Sequence, residues 1–500
     1  MFLIILFTTL FVIAVIQQYR ARKCLPKGPT PLPIIGNLHQ MGYYFWKHGA
    51  IIPAYHEFEK EFGKVFTLWV GPMATVYIAD YNVAHESHIK RANLFSTRFS
   101  EGTMNYIRAG RGVITSNGEF WQEHRRFALT TLRNFGVGRN LMEEKIMDEY
   151  RHRFADFAGC NNNKGAFETS SSMFFDLLIG SIINQLLISE RFEQDDKEFE
   201  KLKNSIALGL EKFGLLDIFL PISFLESRFM KWRQDTVFEP FRYIHELSKK
   251  NIQKRLDQIE NGEHVIDNEG NDYLDAYLIK IEKDQKEGIV DSTFNLENLA
   301  IDMYDLWIAG QETTSTTLSW ACACLLNHPE VIKKVRAEVL KVTRGNRHVS
   351  LTDKTATPYL NAVINEVQRM ASILNMNLFR IMEEDTVIDG QPIRAGTAYT
   401  TQIGMIHTDE KMFKNPEKFD PERFLENEGL EKKLIPFGIG KRSCLGESLA
   451  RAELYLIMGN MLMNYDIEPV GAIPPMKTPT PFGIMKRPPV YELRFVPVIH

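Results

Sequence analysis

Cysteine is scarce in this chain. There are five in 500 residues, Cys24, Cys160, Cys322, Cys324 and Cys444, scattered along its length. That scatter argues against a disulfide framework and suits a reducing compartment. No CxxC or HxxxH spacing supports a zinc site. Cys322 and Cys324, two apart in a helical pattern, point their side chains in different directions and read as buried apolar fillers. An excess of one charge is missing too: 59 Lys+Arg against 63 Asp+Glu give a net charge of -4, so there is no electrostatic footprint for nucleic acid. No Gly/Ser-rich linker, repeat or low-complexity block interrupts residues 34–500. The body therefore reads as one large domain, although its length alone would allow more. No GxGxxG opens a strand–helix unit for a dinucleotide, and no flavin domain is evident. What is present is the ordinary composition of a folded protein, 44% apolar and 24% charged.

Met1 to Ile16, MFLIILFTTLFVIAVI, carries no charged side chain and is followed by Arg20, Arg22, Lys23 and Lys27. No basic segment precedes the run and no small-residue cleavage site follows it, which disfavours a cleaved signal peptide. We expect a signal-anchor helix over residues 1–19, slightly shorter than the ~20 apolar residues that span a bilayer. Positive charge on its C-terminal side places the body in the cytosol. A basic, proline-rich hinge, residues 20–33, should follow.

The body, residues 34–500, reads as mainly helical with small sheets. Val65–Val70 and Thr75–Ala79 around Gly71-Pro72 suggest a hairpin, and Tyr491–Val496 alternates like a strand. The longest helical pattern runs from about Leu296 to Leu326, capped by Asn295 and closed by Pro329. At about 45 Å it must cross the middle of the fold. Thr357-Pro358 should open a helix to Met370, and Ser116-Asn117-Gly118-Glu119 reads as a capping box for a helix bearing Trp121, Arg125 and Arg126.

The segment richest in chemistry is Phe437-Gly438-Ile439-Gly440-Lys441-Arg442-Ser443-Cys444-Leu445-Gly446. Its three glycines permit tight turns and close backbone approach to a planar ligand. Cys444 stands just before a helical run, Glu447 to Asn464, where the dipole and free N–H groups favour a thiolate. At every motif position this segment resembles the haem-binding loop of the cytochrome P450 family. Glu366-Val367-Gln368-Arg369 resembles the family's ExxR signature, Pro421-Glu422-Arg423-Phe424 its PERF motif, and Ala309-Gly310-Gln311-Glu312-Thr313 its oxygen-activation motif. Trp121 and Arg125 match its WxxxR pair. Pro31–Leu38 and Thr131–Gly136 are typical of the microsomal, family-2-like members, and the resemblance extends from Pro31 to about Pro497. One departure is the hinge, Leu25-Pro26-Lys27-Gly28-Pro29 in place of Pro-Pro-Gly-Pro.

The resemblance implies the cytochrome P450 fold and a haem-thiolate monooxygenase using haem b (iron protoporphyrin IX). It implies that Cys444 is the axial iron ligand and that Phe437 belongs to the cofactor loop. Arg442, Trp121, Arg125, Arg98 and Arg380 would hold the haem propionates. Thr313 and Glu312 would act in oxygen activation, while Glu366, Arg369 and Arg423 would lock the haem-side core. Gly310, Thr313 and Thr314 would open the long helix to water or O₂. Electrons would come from NADPH-cytochrome P450 reductase, with cytochrome b5 as a second donor, docking on Lys432, Lys433, Lys441, Arg126 and Arg133. The substrate would be small and lipophilic, its pocket lined by residues within Tyr106–Val113, Ile301–Ala309 and Ile373–Leu378. The apolar run Leu215–Pro221 reads as core packing, while the family places that region near the membrane. The expected location is the endoplasmic reticulum membrane, with a single pass. A haem isomerase or dehydratase, or a haem-binding carrier, are the alternatives; the Glu312-Thr313 pair favours oxygen activation over both.

Overall fold

The structure, a computed structural model, describes residues 1–100, 102–135, 140–159, 165–267, 269–476 and 485–498. Cys160 and Gly136 lie outside these, as do the side chains of Leu215 and Leu216 and several in the N-terminal helix. That helix, Phe2–Arg22, runs past the expected boundary at residue 19 and keeps Arg20 and Arg22 in its last turn. The chain beyond it is docked rather than free. Thr67 donates its amide to Lys27 O (3.0 Å) and its hydroxyl to Pro26 O (2.8 Å). Gly28 lies so close to Thr67 that a Cβ there would collide with its backbone.

The body is mainly α, with three small sheets among the described residues. The first has the order β1 (Val65–Val70), β2 (Met73–Ile78), β7 (Ala398–Thr401), β4 (Arg380–Ile381). The hairpin is as expected but tighter, since β2 begins at Met73 immediately after the Gly71-Pro72 turn. β7 joins β2 in parallel. The second sheet is β3 (Phe167–Ser170), β9 (Glu492–Pro497), β8 (Tyr465–Val470), and the third pairs β5 (Thr386–Ile388) with β6 (Gln391–Ile393).

The central helix, Leu296–Asn327, is continuous over 32 residues, about 48 Å at 1.5 Å per residue. Asn295 caps it by accepting from the Asn298 amide, and Pro329 opens the next helix, Pro329–Thr343. The Ser171–Ile188 helix packs along it. Ser171–Ile188 is apolar and long enough to cross a membrane, but 83% of it is buried, so it is a core element. Gly310 belongs to this packing: a Cβ there would lie 2.7 Å from Ile183 Cδ1. The expectation that Gly310 and its threonines open the helix is therefore corrected. The glycine makes room for Ile183, and the hydroxyls of Thr313 and Thr317 donate to Ala309 O and Thr313 O (2.8 and 2.9 Å) without interrupting it.

Two capping expectations also fail locally. The helix Gly118–Asn134 has no side-chain cap, because Ser116 Oγ turns back to Gly112 O and Asn117 serves two arginines instead. Pro358–Ala371 starts where expected, but the Thr357 hydroxyl bonds Asp353 O (3.1 Å) and Tyr455 Oη (2.6 Å) instead of capping it. In the run Leu215–Pro221, Ile218 is buried and Phe219 and Leu220 pack against the core. The exposed apolar residues come just after it: Phe224, Phe229 and Trp232.

Candidate functional site

The cysteine loop closes on itself. Cys444 donates its amide to Phe437 O (2.8 Å), and the Phe437 ring lies under the Arg451 guanidinium (4.8 Å). Gly438 and Gly440 take positive φ, 72° and 84°, the left-handed turns glycine allows. The helix Glu447–Asn464 begins three residues after Cys444. Its Sγ feels the Gly446 amide and the Arg125 guanidinium, which favour a thiolate, yet burial pushes the thiol up overall. Without a bonded cation the group stays protonated; a metal at sulfur would supply the charge that tips it to the thiolate.

Cys444 is nonetheless exposed in area, although Arg442 and Leu449 beside it are buried. The central helix shows the same pattern. Ala309 is exposed, and Gly310 and Thr313 are half-buried, in a helix otherwise almost wholly buried. The two helices meet where Glu453 faces Thr314, next to Thr313. Cys444 and the stretch Ala309, Gly310 and Thr313 are thus accessible points on two segments whose neighbours are buried.

Four arginines gather at one edge of the loop. Arg442 donates from Nε to Ser96 O (2.8 Å) and from Nη2 to Ser116 O (2.7 Å) and Asn117 Oδ1 (2.8 Å). Its guanidinium lies 3.6 Å above the Trp121 ring, whereas Arg125 is 5.8 Å from it. Trp121 thus stacks on Arg442 more closely than on its helix partner, and it is buried. Arg125 donates to Ser443 O (2.8 Å) and Arg98 to Leu378 O (2.9 Å). Arg380 donates to Phe95 O (2.7 Å) and to His88 Nδ1 (2.8 Å). None of the four has a carboxylate partner among the described residues. Trp121 Nε1, Arg98 Nε, Arg380 Nε and Nη2, and Arg442 Nη1 are all buried with no well-formed acceptor among the described residues. Burial and mutual repulsion push Arg98 well down and Arg442 to about 9. Unsatisfied donors on like charges cost free energy until an anion arrives. An accessible thiol and an anion-seeking edge beside it fit a planar metal-bearing dicarboxylate, which is what haem is.

The supporting core is built as the motifs imply. Glu366 takes both Nε and Nη2 of Arg369 (2.8 and 2.9 Å) and Nε of Arg423 (3.2 Å), all three side chains being buried. Arg423 also donates to Lys414 O (2.6 Å) and Lys418 O (3.0 Å), and Asp420 N donates to Glu366 (2.9 Å). On the central helix, Glu312 is buried and bonded to Arg487 (2.8 Å). Burial, with Asp176 nearby, raises its carboxyl to about 7 against the pull of Arg487 and Lys203. Two of the segments expected to line the substrate pocket are tied by a buried ion pair, Arg108 Nε to Asp305 Oδ1 at 2.6 Å. Lys432, Lys433, Lys441, Arg126 and Arg133 are all exposed.

Sequence reasoning missed His88, Asn117 and Glu453. Asn117 accepts from Arg98 N (2.8 Å) as well as from Arg442. Glu453 is fully buried, and burial raises it to about 8. Their partners lie far away in the chain, and no local spacing announces them.

A family model described as Cytochrome P450 matches residues 26–495. The chain is 39% identical over 502 residues to probable cytochrome P450 cyp-35D1 of Caenorhabditis elegans, covering 99% of this chain and 100% of that protein. It is 33% identical over 471 residues to cytochrome P450 2A7 of Homo sapiens, covering 92% and 91%. Cytochrome P450 2C21 of Canis lupus familiaris is 33% identical over 495 residues, with 96% of each chain covered.

Proposed function

Because the chain belongs to the cytochrome P450 family and so to the haem-thiolate monooxygenases, we propose that Cys444 is its iron ligand and that Thr313 and Glu312 deliver protons to dioxygen. We further propose haem b as the cofactor, a small lipophilic substrate, and NADPH-cytochrome P450 reductase as electron source, with cytochrome b5 as a second donor. Bound haem supplies the dioxygen chemistry, promoted by an electron-donating thiolate.

The protein's own residues do the rest. Cys444 is presented by the closed loop and is itself exposed. Trp121, Arg98, Arg125, Arg380 and Arg442 would offer N–H groups to the two propionates, with Phe437 closing the loop behind. Thr313 keeps its hydroxyl on the exposed stretch of the central helix, held there by Ala309 O. Glu312, raised to about 7, is half-protonated near neutrality, which is the condition for passing a proton in either direction. Exposed Lys432, Lys433, Lys441, Arg126 and Arg133 form the surface for an acidic redox partner.

The N-terminal helix supports anchoring: about 31 Å of helix, with Arg20 and Arg22 at its end. Basic residues on the body side favour a cytosolic body, and the resemblance to the microsomal members favours the endoplasmic reticulum as the membrane.

The observation that carries this reading is the accessible thiol beside a buried edge of unpaired arginine donors. The test is the absorbance of purified protein reduced under carbon monoxide. A thiolate-type band that disappears in Cys444→Ala is expected; no band, or one that survives the substitution, overturns it.

A further inference from the structure

His88 lies within a short π-helical turn, Glu86–Lys90, and is 1% exposed. Single π turns inside helices are uncommon and tend to accompany functional sites. This one abuts the cysteine loop: a Cβ on Gly440 would lie 3.0 Å from His88 Cβ and collide with His88 O. The imidazole stacks on Tyr399 (5.9 Å, 23°) and meets the edge of Phe95 (5.8 Å, 86°).

The ring's hydrogen bonds define its protonation. Nδ1 is 2.8 Å from Arg380 Nη1, and Nε2 is 2.8 Å from Thr401 Oγ1. A guanidinium only donates, so Nδ1 must accept. The proton therefore sits on Nε2 and is donated to Thr401, and the imidazole is neutral. Burial, with Arg380 and Arg98 nearby, holds it well below its ordinary range.

That arrangement fixes Arg380 in one direction. Nη1 is held by His88 Nδ1 and Phe95 O, while Nε and Nη2 are buried with no well-formed acceptor among the described residues, only the Tyr399 hydroxyl lying beside the guanidinium. The Nε/Nη2 edge is the one that takes a carboxylate with two parallel bonds. A carboxylate in place of His88 would orient Arg380 equally well, but it would cancel the charge. A neutral acceptor orients the arginine and leaves its charge for an incoming anion.

We propose that His88 is a positioning residue that aims the Nε/Nη2 edge of Arg380 at a haem propionate; this rests on the reading of the cysteine loop and its arginines as the haem site. The probe is haem retention by the holoenzyme, followed as the rate of haem transfer to excess apomyoglobin. His88→Leu should lose haem roughly tenfold faster, the effect of one charge-assisted hydrogen bond. His88→Gln, whose Oε1 can accept, should return most of the way to wild type. In an Arg380→Leu background, His88→Leu should change the rate less than about twofold, the two residues acting as one unit. If His88→Leu yields no holoprotein, His88→Asn, whose shorter amide withdraws the acceptor but keeps a polar filler, takes its place with the same expectation. A wild-type loss rate in the variant, or an equal acceleration with and without Arg380, overturns the proposal and leaves His88 a packing residue under the loop. A wild-type protein lacking the thiolate-type carbon monoxide band would sink the haem reading itself, before any His88 variant is made.

Discussion

Glu453 and Glu312 are carboxyls that burial has raised, to about 8 and about 7, and they differ in what compensates them. Glu453 has the Thr314 hydroxyl beside it, but its Oε1 is buried with no partner among the described residues. Between its unfolded pKa and about 8 the native state binds the proton more tightly, so stability falls as pH rises through that window. Glu453→Gln should remove this slope and stabilise the protein at pH 8 by about 4 kcal/mol. The check is the midpoint of urea-induced loss of helical ellipticity at pH 5 and pH 8: the wild type should drop relative to the variant at the higher pH, and parallel curves would refute the burial argument. Glu312 is paired with Arg487 and stands next to Thr313. If its protonated form delivers the proton, reductase-supported product formation should fall as pH rises through about 7. Glu312→Gln should be slower and lack that limb. An unchanged pH profile in the variant would take Glu312 out of proton delivery. Glu312 was legible in the sequence because it stands beside Thr313 in a recognisable run. Glu453 was not, because its burial is set by a helix more than a hundred residues away.

At the scale of elements, helix starts and strand positions followed from local chemistry, while the reasons for particular residues often did not. Asn295 caps the central helix as its spacing predicts. Asn117, which looked like part of a similar cap, instead accepts from the Arg98 backbone amide and the buried Arg442 guanidinium, a cation that loses more by lacking an acceptor than a solvent-accessible helix end does. Gly310 read as a weak point and is a packing contact. Gly310→Val should therefore cost about 2 kcal/mol by overpacking against Ile183, and adding Ile183→Ala should recover part of it. Thermal unfolding of the single and double variants measures this, and strict additivity would remove Ile183 as the cause. The Glu366 network binds its own helix to the segment around Arg423. Glu366→Gln leaves two buried cations without their anion, a cost of about 3–5 kcal/mol. Holoprotein yield, read from the carbon monoxide band, should collapse, whereas intact haem loading would mean the two arginines are satisfied by carbonyls alone.

For the whole molecule, the sequence pattern revealed a single mainly α body and the motif residues of its site, because each motif is short and local. The arginine-rich edge was only partly visible: Arg98 and Arg380 are 282 positions apart and become neighbours through an isolated bridge, a register no periodicity encodes. The relation to the membrane has a similar mixture of local and assembled signals. The N-terminal helix is plain in the sequence, but Trp46 (80% exposed), Phe229 (88%) and Trp232 (60%) become surface residues only once the body has folded. Exposed aromatic side chains of this kind favour the bilayer interface. Removing residues 1–22 should leave the folded body and its spectrum intact, since docking to β1 begins only at Pro26. The truncated protein should still sediment in part with phospholipid vesicles, and Phe229→Ser with Trp232→Ser should release most of that fraction. If the truncated protein stays wholly in solution, the N-terminal helix alone holds the molecule at the membrane and these aromatic residues have no part in it.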